Sequence, residues 1–325
     1  MTGELEIRKA TDADLPAVLA LLRDAMGRSD DERFEALFRW KHLENAFGPS
    51  PAWVAVDGDR IAAVRYLMRW SFERGSRTLH AVRAVDTATH PDYQGMRLFT
   101  KLTLGALDAL RSEGVDFVFN TPNDQSRPGY LKMGWSVVGR LPVPSRPLSL
   151  RGAVRMAKAR VPAQHFSSES TVGAPASEVL ADDVTVGALL AARLPTTRLR
   201  TALSLAMLRW RYGGDLLRYR AVVAASGPRD GIAIVRVRCR GGARELAVGL
   251  VLAPDSGRAR SVVRQAMRAA RSEADYAIAI GERPGPYFAP IPRAGPTLTW
   301  RAVATDEAMP PPDDWLLTLG DIELF

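Results

Sequence analysis

The chain has 325 residues, of which 46% are apolar and 25% charged, and its formal net charge is +8 at pH 7. This length and composition are typical of a globular protein with two domains, each long enough to bury its own core. The most apolar stretch, around 202–208, is too short to span a membrane. The N-terminus lacks a basic segment followed by an apolar one, so no signal peptide is expected.

The basic charge does not by itself indicate nucleic-acid binding. The arginines are spread along the chain among acidic residues, and no nucleic-acid-binding motif is present. We therefore expect a basic enzyme whose field favours an anionic cofactor or substrate, with neither nucleic acid nor membrane as a partner. The single cysteine, Cys239, excludes an internal disulfide, and the four histidines lack the spacing of a metal site. We expect a cytoplasmic protein without a bound metal.

Residues 1–140 predict one α/β unit. A strand over 4–10 is followed by helices over 12–27 and 32–43, and then by strands over 52–56, 61–72 and 78–89. The alternation of the last of these strands slips between Ala84 and Val85, which indicates a β-bulge. A helix over 97–113, a buried strand over 115–120, a short helix that ends at Gly134 and a strand over 135–139 complete the unit.

The second half predicts a similar order of elements. Residues 141–180 are rich in proline, serine and arginine, and we interpret them as a basic linker with a short helix near 150–160. Residues 181–325 predict helices over 186–192 and 198–212, strands over 219–224, 232–238 and 245–252, a helix over 255–274, and strands over 276–280, 298–304 and 315–319. We expect domains at 1–140 and 181–325, the second a structural repeat of the first.

Two segments of the first half carry the chemistry. In residues 85–99 a strand leads through a tight turn into a helix, whose N-terminal N–H groups and dipole suit a pyrophosphate. In residues 123–135 a polar turn and a short helix place Tyr130 four residues before Gly134 and Trp135.

These segments resemble the GNAT acetyltransferase superfamily. The run Pro91-Asp-Tyr-Gln-Gly-Met-Arg-Leu98 resembles its acetyl-CoA loop, Gln/Arg-x-x-Gly-x-Gly/Ala, and Tyr130-Leu-Lys-Met-Gly-Trp135 resembles its Tyr-x-x-x-Gly-aromatic segment. The resemblance covers residues 5–140, and the tandem order is similar to that of Eis-type acetyltransferases. It implies the α/β GNAT fold, a mixed and mostly antiparallel sheet flanked by helices, with a second, degenerate GNAT-like domain. Arg97 and Phe99 depart from the pattern, since they replace its glycine and its final Gly/Ala.

The resemblance also implies a set of residues that bind acetyl-CoA. They are Thr87, Ala88, Thr89, Gln94, Gly95, Met96, Arg97, Leu98, Phe99, Asn123 and Ser126. The backbone of residues 87–89 would hold the pantetheine and polarise the thioester carbonyl, an amine would attack directly, and Tyr130 would protonate the leaving thiolate. Asp86 is the first candidate for the base, or else a structural partner of Arg65 or Arg83. The terminal carboxylate of Phe325, which serves in Eis-type enzymes, ranks second, and His80 and His90 are weaker.

We therefore expect an N-acyltransferase that moves an acetyl group from acetyl-CoA to a small-molecule or peptide amine. A cofactor-binding scaffold or sensor without turnover is the alternative that Arg97 and Phe99 favour. A transferase that uses a longer acyl-CoA or a carrier-protein thioester is a further alternative, since the basic linker would suit an acidic carrier protein. The acceptor amine and the oligomeric state do not follow from the sequence.

Overall fold

The computed structural model describes residues 5–27, 31–281, 288–290 and 295–323. In this part of the chain the N-terminal half supplies six strands: β1 (Glu6–Lys9), β2 (Ala52–Asp57), β3 (Arg60–Arg74), β4 (Arg77–Thr89), β5 (Phe117–Asn120) and β6 (Ser136–Arg140). Its helices are α1 (Leu15–Ala25), α2 (Phe34–His42), α3 (Leu98–Ser112) and α4 (Arg127–Lys132). The order of elements agrees with the sequence prediction for this half.

The remaining strands of the described chain are β7 (Pro144–Pro147), β8 (Ala174–Pro175), β9 (Leu199–Thr201), β10 (Arg220–Val223), β11 (Ile232–Arg240), β12 (Ala243–Leu252), β13 (Tyr276–Ala279), β14 (Ala289–Pro290), β15 (Thr297–Ala302) and β16 (Trp315–Leu316). The helices are α5 (Leu150–Lys158), α6 (Ala176–Val179), α7 (Asp183–Ala191), α8 (Leu205–Tyr212), α9 (Ser256–Ala269) and α10 (Leu319–Ile322). Short 3₁₀ turns connect several of these elements.

The strands form two sheets with the same order. The first runs β1-β2-β3-β4-β5-β15-β6, and the second, in the matching direction, runs β8-β10-β11-β12-β13-β7-β14. In both paths one neighbouring pair is parallel, β4 with β5 and β12 with β13, and the other pairs are antiparallel. The predicted α/β fold with a repeated, mostly antiparallel sheet is therefore confirmed.

Each sheet contains one strand from the other half of the chain. β7 pairs with β13 in the second sheet, and β15 pairs with β5 and β6 in the first. The predicted boundaries at 140 and 180 therefore do not separate the sheets, because the predicted linker supplies β7 and the C-terminal half supplies β15. The prolines at both ends of β7 lack an N–H donor, which is why this segment did not have the pattern of a strand.

The predicted helix over 198–212 was wrong at its start. Leu199–Thr201 is the strand β9, which pairs with the far end of β3, and helix α8 begins only at Leu205. The Nε1 of Trp70 donates to the Oγ1 of Thr201 over 2.9 Å, which ties the short strand to the sheet. The predicted strand over 315–319 is the two-residue β16, and Leu319 opens helix α10.

The largest cluster of buried apolar side chains joins the two sheets. It includes Trp70 and Phe72 from β3, Ile234 from β11 and Leu250 from β12. Such burial contributes about 25 cal/mol for each Å² of apolar surface removed from water. The two sheets therefore share one core, consistent with the exchange of strands between them.

Candidate active site

Strands β4 and β5 separate after three paired positions, and this separation opens a cleft. Their parallel pairing covers Ala81 to Arg83 on β4 and Phe117 to Phe119 on β5. β4 then continues to Thr89, without a neighbouring strand on that side among the described residues. The cleft beside this free edge has a volume of about 250 Å³. The free strand edge offers backbone N–H and C=O groups to a ligand.

A β-bulge lies at the mouth of the cleft. Arg65 of β3 pairs with Thr87, but Leu67 pairs with Ala84, so two residues of β4 stand opposite Tyr66. The bulge predicted from the slip between Ala84 and Val85 is confirmed by this register. The extra residue bends the strand locally and re-aims its side chains.

Five of the predicted site residues line this cleft together: Asp86, Thr87, Asn123, Ser126 and Tyr130. Thr89 and Gln94 line a different cavity, of about 730 Å³, beside α1. The side chains of Ala88 and Leu98 are buried in the core, so only their backbone is available to a ligand. Gly95, Met96, Arg97 and Phe99 belong to the turn and the start of α3. Phe325 lies outside the described residues.

The hydroxyl of Tyr130 has a defined hydrogen-bond partner. The buried guanidinium of Arg65 donates through Nη2 to the Oη of Tyr130 over 2.5 Å, and through Nη1 to the carbonyl of Val85 over 3.3 Å. A guanidinium can only donate, so the phenol oxygen accepts this bond and its own hydrogen is directed elsewhere. Tyr130 lines the cleft although its side chain is almost fully buried. Its proton can therefore be donated to an atom in the cleft.

Asp86 is paired with neither Arg65 nor Arg83. Its Oδ2 accepts from the Nζ of Lys41 and from the Nε2 of His42, each over 2.7 Å. Burial opposes the ionisation of Asp86, but the charge of Lys41 and the hydrogen bond from His42 outweigh it and lower the pKa of the carboxyl strongly. Asp86 is therefore held as a carboxylate, and this opposes the proton uptake that a strong base would need.

The protonation of His42 follows from its two contacts. Burial lowers the pKa of this imidazole, which is completely enclosed. A neutral imidazole has one donor and one acceptor nitrogen, and an ionised carboxylate can only accept. We therefore assign the proton to Nε2, which donates to Asp86, and Nδ1 then accepts from the hydroxyl of Ser50 over 2.9 Å.

Lys41 and His42 were not among the residues that the sequence indicated. Both lie at the end of α2 and both are buried. A signal was present, because they follow Leu37 and Phe38 by four residues and so lie on the apolar face of the helix. A lysine and a histidine on such a face indicate a buried polar partner.

Arg97 has a backbone conformation that explains the glycine of the GNAT pattern. Its φ is 59° and its ψ 26°, in the left-handed region, and it directly precedes α3. Only glycine adopts this region without strain. The N–H groups of Leu98 and Phe99 follow in the first turn of the helix, where an α-helix has no acceptor of its own. The side chain of Arg97 is exposed beside them.

The side chain of Phe99 packs against the helix that contains Tyr130. Its ring packs against the edge of Tyr130, with centroids 5.3 Å apart, and against Gly129, where an added Cβ would lie 3.2 Å from the ring. The guanidinium of Arg65 lies 5.4 Å from the centroid of the Phe99 ring. Phe99 therefore fills the space between α3 and α4 and supports the position of Tyr130.

Asn123 and Ser126 shape the turn before α4. The Oδ1 of Asn123 accepts from the N–H of Ser126 over 2.9 Å and from its hydroxyl over 3.0 Å. These bonds fix the loop that carries the helix of Tyr130. Both residues border the cleft, but their side chains are already engaged with each other.

The C-terminal segment reaches the floor of the cleft. Arg83, the last residue of β4 that pairs with β5, donates to the carbonyl of Asp321 over 2.5 Å and to the Oγ1 of Thr121 over 2.6 Å. Burial lowers the pKa of Arg83 to about 9, and the charge of Asp321 opposes this shift. The segment around Asp321 is thus attached to the point where β4 and β5 separate.

His80 and His90 lie away from the cleft. His90 caps the 3₁₀ turn that follows β4, where its Nδ1 accepts from the N–H of Asp92 over 3.2 Å. Among the described residues, no group of three or more His, Cys, Asp or Glu side chains could hold a metal ion. In the same part of the chain, no helix is both long and apolar enough to cross a membrane.

Comparisons with known proteins agree with this geometry. A family model described as an acetyltransferase (GNAT) domain matches residues 6–138. The search among curated proteins found no match. Solved structures that resemble the chain include a probable N-acyltransferase of unknown function from Enterococcus faecalis V583, with a TM-score of 0.64 and 10% identity, covering 93% of this chain and 73% of that one.

Two further solved structures are described as GCN5-related N-acetyltransferases. The one from Kribbella flavida has a TM-score of 0.60 and 17% identity, and the match covers 93% of this chain and 72% of that one. The one from Anabaena variabilis ATCC 29413 has a TM-score of 0.61 and 13% identity, and the match covers 92% of this chain and 73% of that one. At these identities the likeness concerns the fold.

The fold and the cleft together define an acyltransferase of the GNAT type. Residues 6–138 match the model of a GNAT acetyltransferase domain. A second, GNAT-like sheet follows in tandem.

Proposed function

We propose that the protein transfers an acetyl group from acetyl-CoA to the nitrogen of a small-molecule or peptide amine by direct attack. The observation that carries this proposal is the meeting of three features in one cleft. They are the edge of β4 that is free of β5 beyond Arg83, the bulge after Arg83, and the hydroxyl of Tyr130, whose oxygen accepts a hydrogen bond from Arg65.

Acetyl-CoA would lie along the free edge of β4. The backbone of residues 87–89 would hold the amides of the pantetheine arm, since this edge has unpaired N–H and C=O groups. The pyrophosphate would lie at the N-terminus of α3, where the N–H groups of Leu98 and Phe99 and the helix dipole favour an anion. The exposed guanidinium of Arg97 would add a charged contact to a phosphate.

In the reaction, the nitrogen of a neutral amine attacks the thioester carbonyl carbon. The C–N bond forms, the C–S bond breaks, and the sulfur leaves with the electron pair. We assign Tyr130 as the general acid, because the bond from Arg65 leaves its hydrogen free for the sulfur. The amine loses a proton during the same step.

We assign Asp86 to the binding and orientation of the acceptor amine. Lys41 and His42 both contact its Oδ2, so Oδ1 has no partner within the described residues. A carboxylate held ionised in this way accepts a hydrogen bond from the amine and orients its lone pair toward the carbonyl. Asp86 and the terminal carboxylate of Phe325 remain the two predicted acceptors of the proton that the amine loses. The low pKa of Asp86 favours an orienting role over proton uptake.

The experiment has two stages, because binding and turnover are separate claims. Calorimetry with acetyl-CoA should give saturable binding to one site per chain. A thiol-release assay over a panel of amines should then give turnover with at least one amine. Saturable binding without release by any amine would favour a cofactor-binding scaffold, and failure to bind acetyl-CoA would overturn the proposal. Longer acyl-CoA donors in the same assay test the length of the acyl chain.

A further inference from the structure

The second sheet contains a cleft with the same backbone plan as the first. β12 and β13 run parallel only from Glu245 to Val248 on the first of these strands, and β12 then continues to Leu252. The register with β11 shifts at Gly249, because Val235 pairs with Val248 but Ile234 pairs with Leu250. A bulge therefore follows the parallel pairing, as in β4. The cavity beside it has a volume of about 440 Å³.

Part of the lining of this second cleft is apolar. Its walls come from the end of β12, from α9, from residues 193–203 and from residues 316–318 near the C-terminus. The apolar side chains that line it include Leu203, Leu250, Leu252, Val263, Ile280 and Leu316. A volume of this size with an apolar lining is typical of sites for small molecules, which take up roughly 300 to 1,000 Å³.

Four arginines line the same cavity: Arg193, Arg198, Arg200 and Arg260. Glu73 lies between two of them, at 3.3 Å from Arg193 and 2.5 Å from Arg200. The Nε of Arg198 donates to the carbonyl of Asp313, and that of Arg260 donates to the carbonyl of Ser256. Neutral oxygens do not cancel a guanidinium charge, so the cavity carries an excess of positive charge.

The charges of neighbouring arginines in this cavity also influence their pKa values. Burial lowers the pKa of Arg193, and the neighbouring charge of Arg200 lowers it further, while Glu73 opposes both effects. Asp255 supplies the one carboxylate among the described residues that line the cavity, and it is already paired with Arg258 over 2.8 Å. A bound anion would offset the positive charge that Glu73 and Asp255 leave in the cavity.

A second acetyl-CoA does not fit these residues. The carboxylate of Asp255 caps the N-terminus of α9 by accepting from the N–H of Arg258 over 2.9 Å. It would repel a pyrophosphate at the position where α3 has free N–H groups. Among the residues that the structure describes, the lining of this cavity also includes no tyrosine that could correspond to Tyr130.

We propose that the second cleft binds an amphiphilic anion, with a phosphate or carboxylate head on the arginines and a short aliphatic body on the apolar lining. A guanidinium forms paired hydrogen bonds with either head group. The exposed Arg260 and the half-buried Arg198 line the cavity, and their carbonyl partners are ones that an anion can join or replace. This inference does not depend on acetyl transfer in the first cleft.

The test uses octyl phosphate as the probe, with the full chain. Calorimetry should give saturable binding at one site, whereas octanol and inorganic phosphate, which supply the body and the head alone, should bind at least roughly tenfold more weakly. Octanoate in a further titration shows whether a carboxylate head serves as well as a phosphate. Saturating acetyl-CoA should leave the affinity for octyl phosphate unchanged, because the two ligands would occupy different clefts.

Matched variants locate the site. The double variant R198Q/R260Q should weaken the binding of octyl phosphate roughly tenfold or more, because two charged hydrogen-bond donors are lost. R268Q is the control, since Arg268 is an exposed arginine of the same helix outside the cavity. Circular dichroism would verify that both variants are folded. The proposal would be overturned if octyl phosphate did not bind saturably, if octanol bound equally well, or if acetyl-CoA displaced octyl phosphate. It would also be overturned if R268Q lost as much affinity as the double variant, or if the double variant lost none.

Discussion

The two clefts of this protein share a backbone plan and differ in their side chains. In both, a parallel pair of strands separates, a bulge follows, and a helix begins after the longer strand. The first cleft contains Tyr130, fixed by Arg65, and a carboxylate, Asp86, fixed by Lys41 and His42. The second has an apolar lining with arginines.

The difference indicates that the strand order provides the cleft and that a few side chains provide its chemistry. The bulge and the separation of strands occur in both sheets, because both have the same order of strands. Side chains able to donate a proton to a leaving thiolate are present on the first cleft. The comparison can be tested by changing these side chains one at a time.

The two clefts are also linked by segments of the chain that contact both of them. The exchanged strand β15 lies beside β5, so the first sheet is complete only with a strand from the C-terminal half. Leu316 to Thr318 line the second cleft, and the carbonyl of Asp321, three residues later, accepts from Arg83 at the first. The backbone carbonyl of Gly320 accepts from the buried Arg211. The C-terminal segment therefore contacts the surroundings of both clefts.

The largest expected effect concerns Tyr130. Tyr130→Phe keeps the ring and its packing on Phe99 but removes the proton donor. A positioned general acid contributes a factor of roughly a hundred to ten thousand in rate, so kcat should fall by that factor. Steady-state kinetics with an amine found in the thiol-release assay would measure this, and the affinity for acetyl-CoA should change little.

Tyr93→Phe is the matched control for this prediction. Tyr93 lies in the same domain, and its hydroxyl donates to Asp57 over 2.8 Å, away from the cleft. Its kcat should equal that of the wild type. If Tyr130→Phe kept kcat within about twofold, below the range for a general acid, the acid would be another group.

The second effect concerns the stability that Asp86 supplies. Asp86→Asn leaves the ammonium of Lys41, whose side chain is only 8% exposed, without its carboxylate. Removal of one partner of a buried ion pair destabilises a protein by about 3 to 5 kcal/mol, and denaturant unfolding at pH 7 should give such a loss. Asp92→Asn is the control, because Asp92 pairs with Arg60 at the surface and contributes at most about 1 kcal/mol.

The pH dependence of unfolding checks the same pair. The pKa of Asp86 is lowered in the folded state, so its stabilisation is fully present above the ordinary carboxyl pKa of about 4 and is lost as the pH falls below that value. The free energies of unfolding of the wild type and of Asp86→Asn should therefore converge at acidic pH. A constant difference down to low pH would mean that the pair does not titrate in this way.

Local features of the site could be predicted from the sequence. The slip at Ala84 and Val85 is a break in a period-two pattern, and it indicated the bulge. The turn before α3 was predicted from residues that are close in the chain. The place of Tyr130 in a ligand site was implied by the resemblance of its segment to the GNAT pattern, and Tyr130 lines the cleft.

Long-range pairings could not be predicted in the same way. The partners of Asp86 lie more than forty residues before it on another element, and no local pattern relates them. The exchange of β7 and β15 depends on which strand edges are free after folding, and both segments have neighbours far away in the chain. As the alternative to a role as base, the sequence therefore indicated Arg65 or Arg83 as the partner of Asp86, because both lie on the same or the neighbouring predicted strand.

A smaller effect is expected from Arg65. Arg65→Lys keeps the charge but loses the fork that reaches both Tyr130 and the carbonyl of Val85. One charged hydrogen bond contributes about 1.5 kcal/mol or more, so kcat should fall roughly tenfold while KM for acetyl-CoA stays nearly constant. Arg65→Met should lower kcat further. A loss of stability with an unchanged kcat would instead give Arg65 a purely structural role.

The smallest effect separates the two properties of Arg97. Arg97→Ala removes the guanidinium and keeps the strain of a φ of 59°, whereas Arg97→Gly removes both. If the guanidinium contacts a phosphate of acetyl-CoA, both variants should bind it up to about fivefold more weakly, since an exposed ion pair contributes at most about 1 kcal/mol. Denaturant unfolding should show Arg97→Gly to be more stable than Arg97→Ala by about 1 kcal/mol, because the left-handed region strains alanine and not glycine. Equal stabilities would contradict the left-handed backbone at this position. Tighter binding by Arg97→Gly alone would mean that close approach of a glycine backbone to the phosphate outweighs the charge of the arginine.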